Sequence, residues 1–551
     1  MIKRIVGLFV LVAAFQMVLA QSAQVQKLGK SVFTLTTFKK DGTILSSAKG
    51  VFVGNKGEAV SLWTPFVGAD SAIVIDASGK KMEVEVLYGA NELYDVCKFR
   101  VAGTTVAAPL ADKALAAGAK AWLVEYSTTK TKPTQAVVKN AETFMGNYHY
   151  YTYQGDYAAL QAGSPVANAN GEVVGLLQLS KVSSEGHSTD VRFINTFQTN
   201  GLSINDAVLN QAHIRVALPE QLDMATVMLM LAESQGNAKR HQQYVTDFMQ
   251  RFPHALEGYL AQARIHVMKA EYAQASSVME KALASVDNKS DVHYHHALLI
   301  YQKSVSMGLP EYAPWTLDAA MKELGKALAL KQQPMYEHLK ARILYAQGQY
   351  QEAYNLLMSL TKTTYRSGEL FYEASQAKKQ LQGSDEEILA LLDSAIAAQE
   401  VHLSAPYVLA RGMALYDGKQ YRRAIQDFNR YDILMAGRGS HDFYYLKFHA
   451  EVQAKQYQPA LNDIAHAIIL NRNEPTYYVE MAQLQLRVNM PDDALRTIDL
   501  CLQIAPDYPE AYLIQGLAYI EKKQKADGLN AFRKAKELGS EQADALIEKY
   551  K

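Results

Sequence analysis

Three side chains in the first 200 residues have the makings of an acyl-transfer centre: the hydroxyl of Ser164, an imidazole at His149 or His187, and the carboxylate of Asp95. Such chemistry needs a hydroxyl nucleophile, an imidazole to take its proton and a carboxylate to orient that imidazole. Ser164 sits in the stretch Leu160–Leu176, LQAGSPVANANGEVVGL, which reads as a tight turn, a short strand, a reversal at Asn170–Gly171 and a second strand over Glu172–Leu179. A different chemistry is raised by His293-x-His295-His296, where His293 and His296 share one helical face and could seat a metal. Beyond Asp291, no nearby Cys, Asp or Glu completes that site, and a polar helix surface is the plainer account. No Walker loop, G-x-G-x-x-G or H-E-x-x-H occurs, so no cofactor and no metal are expected.

The elements that must position the first group are strands. From Ser31 to about Phe197, short runs rich in Val, Ile, Thr and Tyr alternate with Gly, Asp and Asn turns. They are Ser31–Thr37, Gly50–Val53, Ala59–Leu62, Ser71–Ile75, Glu83–Tyr88, Val96–Val101, Lys120–Tyr126, Thr134–Asn140 and Tyr148–Tyr153, with turns at Asn55-Lys56-Gly57 and Asp76-Ala77-Ser78-Gly79. In the Tyr148–Tyr153 run, alternate aromatic side chains are expected to pack inward.

Three segments of this region resemble trypsin-like serine proteases of the bacterial periplasmic kind. Leu160–Leu176 is similar to the family's nucleophile loop, with Pro165 and the Gly171–Gly175 hairpin in place and Ala162 at the serine position. Ser61–Asp70 matches the segment that carries the family's histidine, and Thr64 stands there instead. Tyr94–Val101 resembles the aspartate segment and places that residue at Asp95. The resemblance implies a double-barrel fold and a degenerate triad of Thr64, Asp95 and Ala162. A methyl group is no nucleophile, and a threonine hydroxyl does not titrate near neutral pH, so it cannot act as general base. Ser164 reads as a turn former before Pro165, and Asp95 as a buried, hydrogen-bonded relic. Recruiting Ser164 with His149 or His187 would need both placed within hydrogen-bond reach, and both histidines lie outside the segment that delivers the base.

The N-terminus is an address. Lys3 and Arg4 precede an apolar run over Ile5–Leu19 and a small-residue site at Val18-Leu19-Ala20, the pattern of a secretory signal cut after Ala20. No later stretch is apolar enough to span a bilayer, and a periplasmic or envelope location is expected, in a Gram-negative bacterium by resemblance. Balanced charge, Lys+Arg 56 against Asp+Glu 56, provides no field for nucleic acid or acidic membranes. Cys97 and Cys501 fall in separate domains and read as two lone buried thiols.

After Pro219 strand patterns stop and helical periodicity runs to the C-terminus. Tyr478, Ala482, Ala494 and Ile498 recur as Tyr512, Gly516, Gly528 and Phe532, an offset of 34 residues. Gly348-Gln349-Tyr350-Gln351-Glu352-Ala353 carries the same signs further up. The pattern resembles the tetratricopeptide repeat (TPR). About nine units are expected, starting near 222, 256, 290, 334, 367, 405, 441, 475 and 509, with insertions near Ser304–Trp315 and Gln382–Asp385. Small residues (Ala353, Gly412, Ala424, Ala460, Ala482, Ala494, Gly516) mark close helix crossings. The first helices would line a groove, with Tyr445, His449, Val479, Gln483 and Leu513 as candidate lining positions; for any one of them packing is the plainer role.

The expected architecture is therefore multidomain: a signal peptide (1–20), an all-β double-barrel trypsin-like domain (21–200), a linker (201–221) with a helix over Ile204–Val216, an all-α TPR solenoid (222–540) and a polar cap (541–551). The expected function is an exported, non-enzymatic scaffold whose TPR groove binds protein or peptide partners. A serine protease with a rearranged site and an envelope chaperone or assembly factor are the alternatives. The partner and the oligomeric state are not legible.

Overall fold

The computed structural model describes residues 23–125, 133–180 and 184–551. The signal-peptide reading, and Tyr126 at the end of one expected strand, lie outside the described residues. The chain divides into two compact units, one ending at Asp287 and one spanning Asn288–Lys551.

The first unit holds two antiparallel sheets. Strands β1 (Val32–Phe38), β2 (Ile44–Phe52), β3 (Glu58–Ser61), β4 (Ser71–Ile75), β5 (Lys81–Asn91) and β6 (Val96–Val101) close a barrel in the order β1-β2-β3-β6-β5-β4. Strands β7 (Lys120–Leu123), β8 (Thr134–Phe144), β9 (Tyr148–Gln154), β10 (Pro165–Ala167), β11 (Val173–Leu176), β12 (Gln178–Leu179) and β13 (Gly186–Thr189) form a barrel-like sheet in the order β11-β10-β7-β8-β9-β13-β12. Alternation does the sorting, because successive strand residues point to opposite faces. Phe33 and Leu35, and likewise Cys97, Phe99 and Val101, fill the barrel core, while Val32, Val51, Val60 and Val96 join a core shared with Ala167, Val173 and Leu176 of the second sheet. In β9 the buried rings are Tyr151 and Tyr153, as the alternation required.

The 201–221 stretch is not a free linker, and the helix expected over Ile204–Val216 does not form. Two single turns, Ser203–Asn205 and Leu209–Gln211, lead into extended chain. Leu87 N–H donates to the Arg215 carbonyl at 2.8 Å and Ala217 N–H to the Leu87 carbonyl at 2.7 Å, which lays this segment along β5. The reason lies in the period: Ala212, Ile214, Val216 and Leu218 are apolar at every second position, a strand signal. These residues share the barrel core with Met228, Tyr244 and Phe248 from the first two helices. The barrel and the start of the helical array are thus one packed body.

Helices follow in consecutive antiparallel pairs, two in this unit (Leu222–Ser234 with Ala238–Arg251, Leu256–Met268 with Tyr272–Ser285) and seven in the second, before a closing helix Ala543–Tyr550. Their first helices begin at Leu222, Leu256, Lys289, Pro334, Gly368, Ala405, His441, Pro475 and Pro509. The result is a solenoid of helical repeats. The small positions stand at close crossings: a Cβ on Gly412 would lie 2.7 Å from the Phe428 ring, and one on Gly516 2.3 Å from that of Phe532. An insertion separates Val305 from Leu317, as expected. The second is displaced: Gln380 and Asp385 are joined by a short connector, and most of the extra chain lies at 398–404, around a single turn Val401–Leu403. Cys97 and Cys501 are both buried free thiols, and burial pushes Cys501 up to about 11. Among the described residues no helix is long and apolar enough to cross a membrane.

One buried group is expected to make the stability of the second unit depend on pH. Glu451, on helix His441–Gln453, is 2% exposed, and burial together with the neighbouring Asp463 carboxylate pushes it up to about 8, with Lys447 opposing. Lys447 Nζ is held 3.0 Å from Asp463. A carboxyl whose folded pKa is raised contributes most below its unfolded value near 4.5 and loses that contribution as pH climbs towards 8. Urea midpoints of the full chain should therefore fall between pH 5 and pH 8.5, and Glu451→Gln, which stays neutral, should flatten that decline.

Candidate functional site

The first β domain presents the positions at which the triad was expected. A single turn, Thr64–Phe66, follows β3 and is seated by Trp63 and Phe66, whose rings stack at 6.1 Å. The turn leaves Thr64 exposed at the surface. Asp95 ends the β5–β6 connection with φ +42, a left-handed conformation that aspartate tolerates better than most residues. The second sheet holds this corner in place: Gln178 Nε2 and Thr189 Oγ1 donate to the Tyr94 carbonyl at 2.6 and 2.9 Å. Tyr94 also stacks on Phe144 at 4.1 Å.

Thr64 and Asp95 are brought into direct contact. The Thr64 main-chain N–H donates to Asp95 Oδ1 at 2.7 Å and its hydroxyl donates to the same oxygen at 2.9 Å. Asp95 therefore spends its acceptor on the residue that stands where an imidazole would. Tyr150 lies close by; burial first, then the Asp95 and Glu142 carboxylates, raises its hydroxyl above the ordinary value.

Ala162 packs at the edge of the core that contains Leu62 and Val96. The loop around it is tied down by main-chain bonds. The Ala162 carbonyl accepts from Lys49 N–H at 2.8 Å, Gly163 N–H donates to Leu177 at 2.7 Å, and Ser164 N–H donates to Gln161 at 3.0 Å. Ala162 N–H donates to the Ala159 carbonyl at 3.3 Å through the turn Ala159–Gln161. An oxyanion-binding loop works by leaving such N–H groups free to meet developing charge. Here the N–H groups of residues 162, 163 and 164 are all engaged.

Ser164 is 0% exposed, and its Oγ has no hydrogen-bond partner among the described residues. His149 Nδ1 stands 3.8 Å from Asp190, whose carboxylate Arg192 Nε engages at 2.9 Å. His187 faces Thr152 at 3.4 Å and stacks with Tyr150. The three side chains do not assemble.

The groove candidates of the second unit separate into two sets. Tyr445 donates its hydroxyl to Glu480 Oε1 at 2.7 Å, and His449 Nε2 lies 3.4 Å from Glu480 Oε2. Tyr445 also meets the edge of His449 at 4.4 Å and the Tyr477 ring at 4.7 Å. Burial and the Glu480 carboxylate raise the Tyr445 hydroxyl well above its ordinary value. Gln483 is exposed beside this cluster. Val479 and Leu513, in contrast, are 8% and 7% exposed and belong to the packing cores. Tyr445, Val479 and Leu513 occupy the same repeat position. The tyrosine ring is long enough to carry its hydroxyl past the contact between neighbouring helices, and the shorter aliphatic chains end inside it. Glu480 and Tyr477 escaped the sequence reading because neither occupies a repeat-pattern position. The His293 and His296 face is completed by Glu323, with Nδ1 to Oε1 distances of 2.6 and 3.4 Å, but Lys326 takes the other carboxylate oxygen at 2.6 Å. A single carboxylate is thus shared among three donors between two helices.

No family model matches the chain. Among curated proteins it is similar to a DnaJ homolog subfamily C member 7 homolog from Dictyostelium discoideum, at 20% identity over 305 residues covering 52% of this chain and 50% of that protein. The chain thus spans about half the length of the curated relative it matches. Among solved structures, the active form of a protease from M. tuberculosis overlays on 32% of this chain and 84% of its own, at 16% identity and a TM-score of 0.28. That overlay is too slight to bear weight.

Proposed function

We propose that the chain is a non-enzymatic, exported protein-interaction scaffold. In this reading the helix pairs hold peptide or protein partners, and the β domain is a trypsin-like domain without catalysis. The observation that carries it is the run of seven helix pairs in the second unit, presenting Tyr445, His449, Glu480 and the exposed Gln483 together. Repeats of this kind bury their apolar faces against neighbours and leave an extended polar and aromatic surface for partners. Absence of catalysis is supported by the Asp95 oxygen that Thr64 occupies twice and by the engaged N–H groups at 162 to 164.

The test is labelling of the full chain with a fluorophosphonate probe. No adduct is expected on the natural chain, nor on Thr64→His/Ala162→Ser, because the loop still lacks a free oxyanion donor at residue 162. An adduct on the natural chain that disappears in Ser164→Ala would overturn the non-enzymatic reading.

A further inference from the structure

We propose that His338, Glu369 and Glu373 form a binding site for a divalent cation of the Zn2+ class. His338 lies on helix Pro334–Ala346, and the two glutamates sit one turn apart on helix Gly368–Gln380. One ligand atom from each of the three falls within 4.8 Å of the others.

The surroundings organise these atoms as a metal shell requires. His338 is 5% exposed. Its Nδ1 is engaged by the Tyr365 hydroxyl at 3.3 Å, which fixes the ring and leaves Nε2 facing Glu373 Oε2 at 2.6 Å. Arg342 donates Nε to Glu373 Oε1 at 2.7 Å and Nη2 to Glu369 Oε1 at 2.9 Å. The guanidinium thus takes Oε1 of each carboxylate, and Glu373 Oε2 is the oxygen that faces His338. Partners of this kind, one layer beyond the ligands, orient histidine and carboxylate ligands in metal centres. With a neutral imidazole, two carboxylates against one guanidinium leave a single negative charge for a dication to meet.

Imidazole nitrogen with carboxylate oxygen, and no thiolate, selects Zn2+ or a similar first-row dication over soft Cu+ or all-oxygen Mg2+. Ligands on a tetrahedral zinc are about 3.3 Å apart, so Nε2 and Oε2 must separate by about 0.7 Å as the cation replaces the shared proton. Three protein ligands leave a fourth position, as in open zinc sites. Arg342 and Glu373 also line a neighbouring pocket of about 210 Å³ with Tyr301, Tyr345, Leu357 and Gln376. An ion-pair network without metal would use the same contacts, and the experiment separates the two.

The full-length protein is stripped with EDTA and titrated with Zn2+ by calorimetry, with Mg2+ as control. One saturable equivalent of Zn2+ is expected, with a rise in the melting temperature of the second unit. Glu369→Gln, at a half-exposed side chain, should weaken binding about tenfold or more, and His338→Gln should do the same. Glu369→Gln alone decides the matter if His338→Gln melts early. No saturable equivalent, or a Zn2+ affinity unchanged by Glu369→Gln, overturns the site.

Discussion

Gly163→Ala is expected to destabilise the first unit by about 3 kcal/mol or more, enough to be a large share of the roughly 5–15 kcal/mol that holds a domain folded. Gly163 has φ +83, and a Cβ there would stand 2.1 Å from the Lys49 carbonyl oxygen and 2.9 Å from its carbon. Both are main-chain atoms of Lys49 in β2, which pairs with Thr34 of β1 and whose carbonyl also accepts from the Ser61 hydroxyl of β3 at 2.7 Å. The left-handed conformation costs an alanine about 1–2 kcal/mol, and overpacking adds about 1–3 kcal/mol. Gly79→Ala is the control. It shares a positive φ, +86, but nothing lies within 4 Å of its Cβ direction, so only the conformational cost applies. Urea unfolding followed by tryptophan fluorescence in a Trp315→Phe background, where Trp63 and Trp122 of the first unit alone report, reads the difference. Equal midpoints for the two variants would show that the contact between the 162–164 loop and β2 does not hold the fold.

Arg411→Met is expected to cost the second unit about 3–5 kcal/mol, the usual penalty for leaving one member of a buried ion pair behind. Arg411, on helix Ala405–Asp417, reaches Asp427 on the next helix through Nε at 2.8 Å and Nη2 at 2.5 Å, and Asp393 on the preceding one through Nη1 at 2.6 Å. Asp427 is only 5% exposed. These two carboxylates raise the guanidinium above its already high ordinary pKa, with the Asp427 contact first. Removing the cation leaves Asp427 buried without its partner, or forces it to take up a proton. The double substitution Arg411→Met/Asp427→Leu should recover most of the loss, since replacing a whole buried pair by apolar groups is often neutral. Circular dichroism in urea measures both. If the single substitution cost no more than the double, the pair would not hold the two helices of this repeat together.

Much of the fold was legible because local signals and tertiary roles agreed. Ser71–Ile75 and Val96–Val101 are strands with the expected ends, and the glycines of the expected turns, Gly57, Gly79 and Gly171, all take positive φ. The repeat frame placed the start of each first helix to within a residue, since small and large residues alternate there for a packing reason. The 201–221 stretch was misread because its polar residues mask a period of two that only a neighbouring strand, β5, makes useful. At the candidate site the residue types were legible and the bonds were not. Thr64 and Asp95 are 31 apart in the chain, and no local pattern reports that one caps the other. His338 and Glu373 are likewise joined only by the stacking of successive repeats, so the sequence showed no metal-ligand spacing around them.

In the proposed function the helical array is the working surface. Its most direct test installs a photo-crosslinking amino acid in the full chain, once at Gln483 beside the Tyr445–His449–Glu480 cluster and once at Asp499 on the second helix of the same pair. Both positions are exposed, so both can react. Irradiation in the producing cell is predicted to give a discrete protein adduct from Gln483, absent from Asp499 and lost when Tyr445→Ala is added. Adducts that are the same from both positions, or that survive Tyr445→Ala, would contradict the assignment of this face as the partner-binding surface.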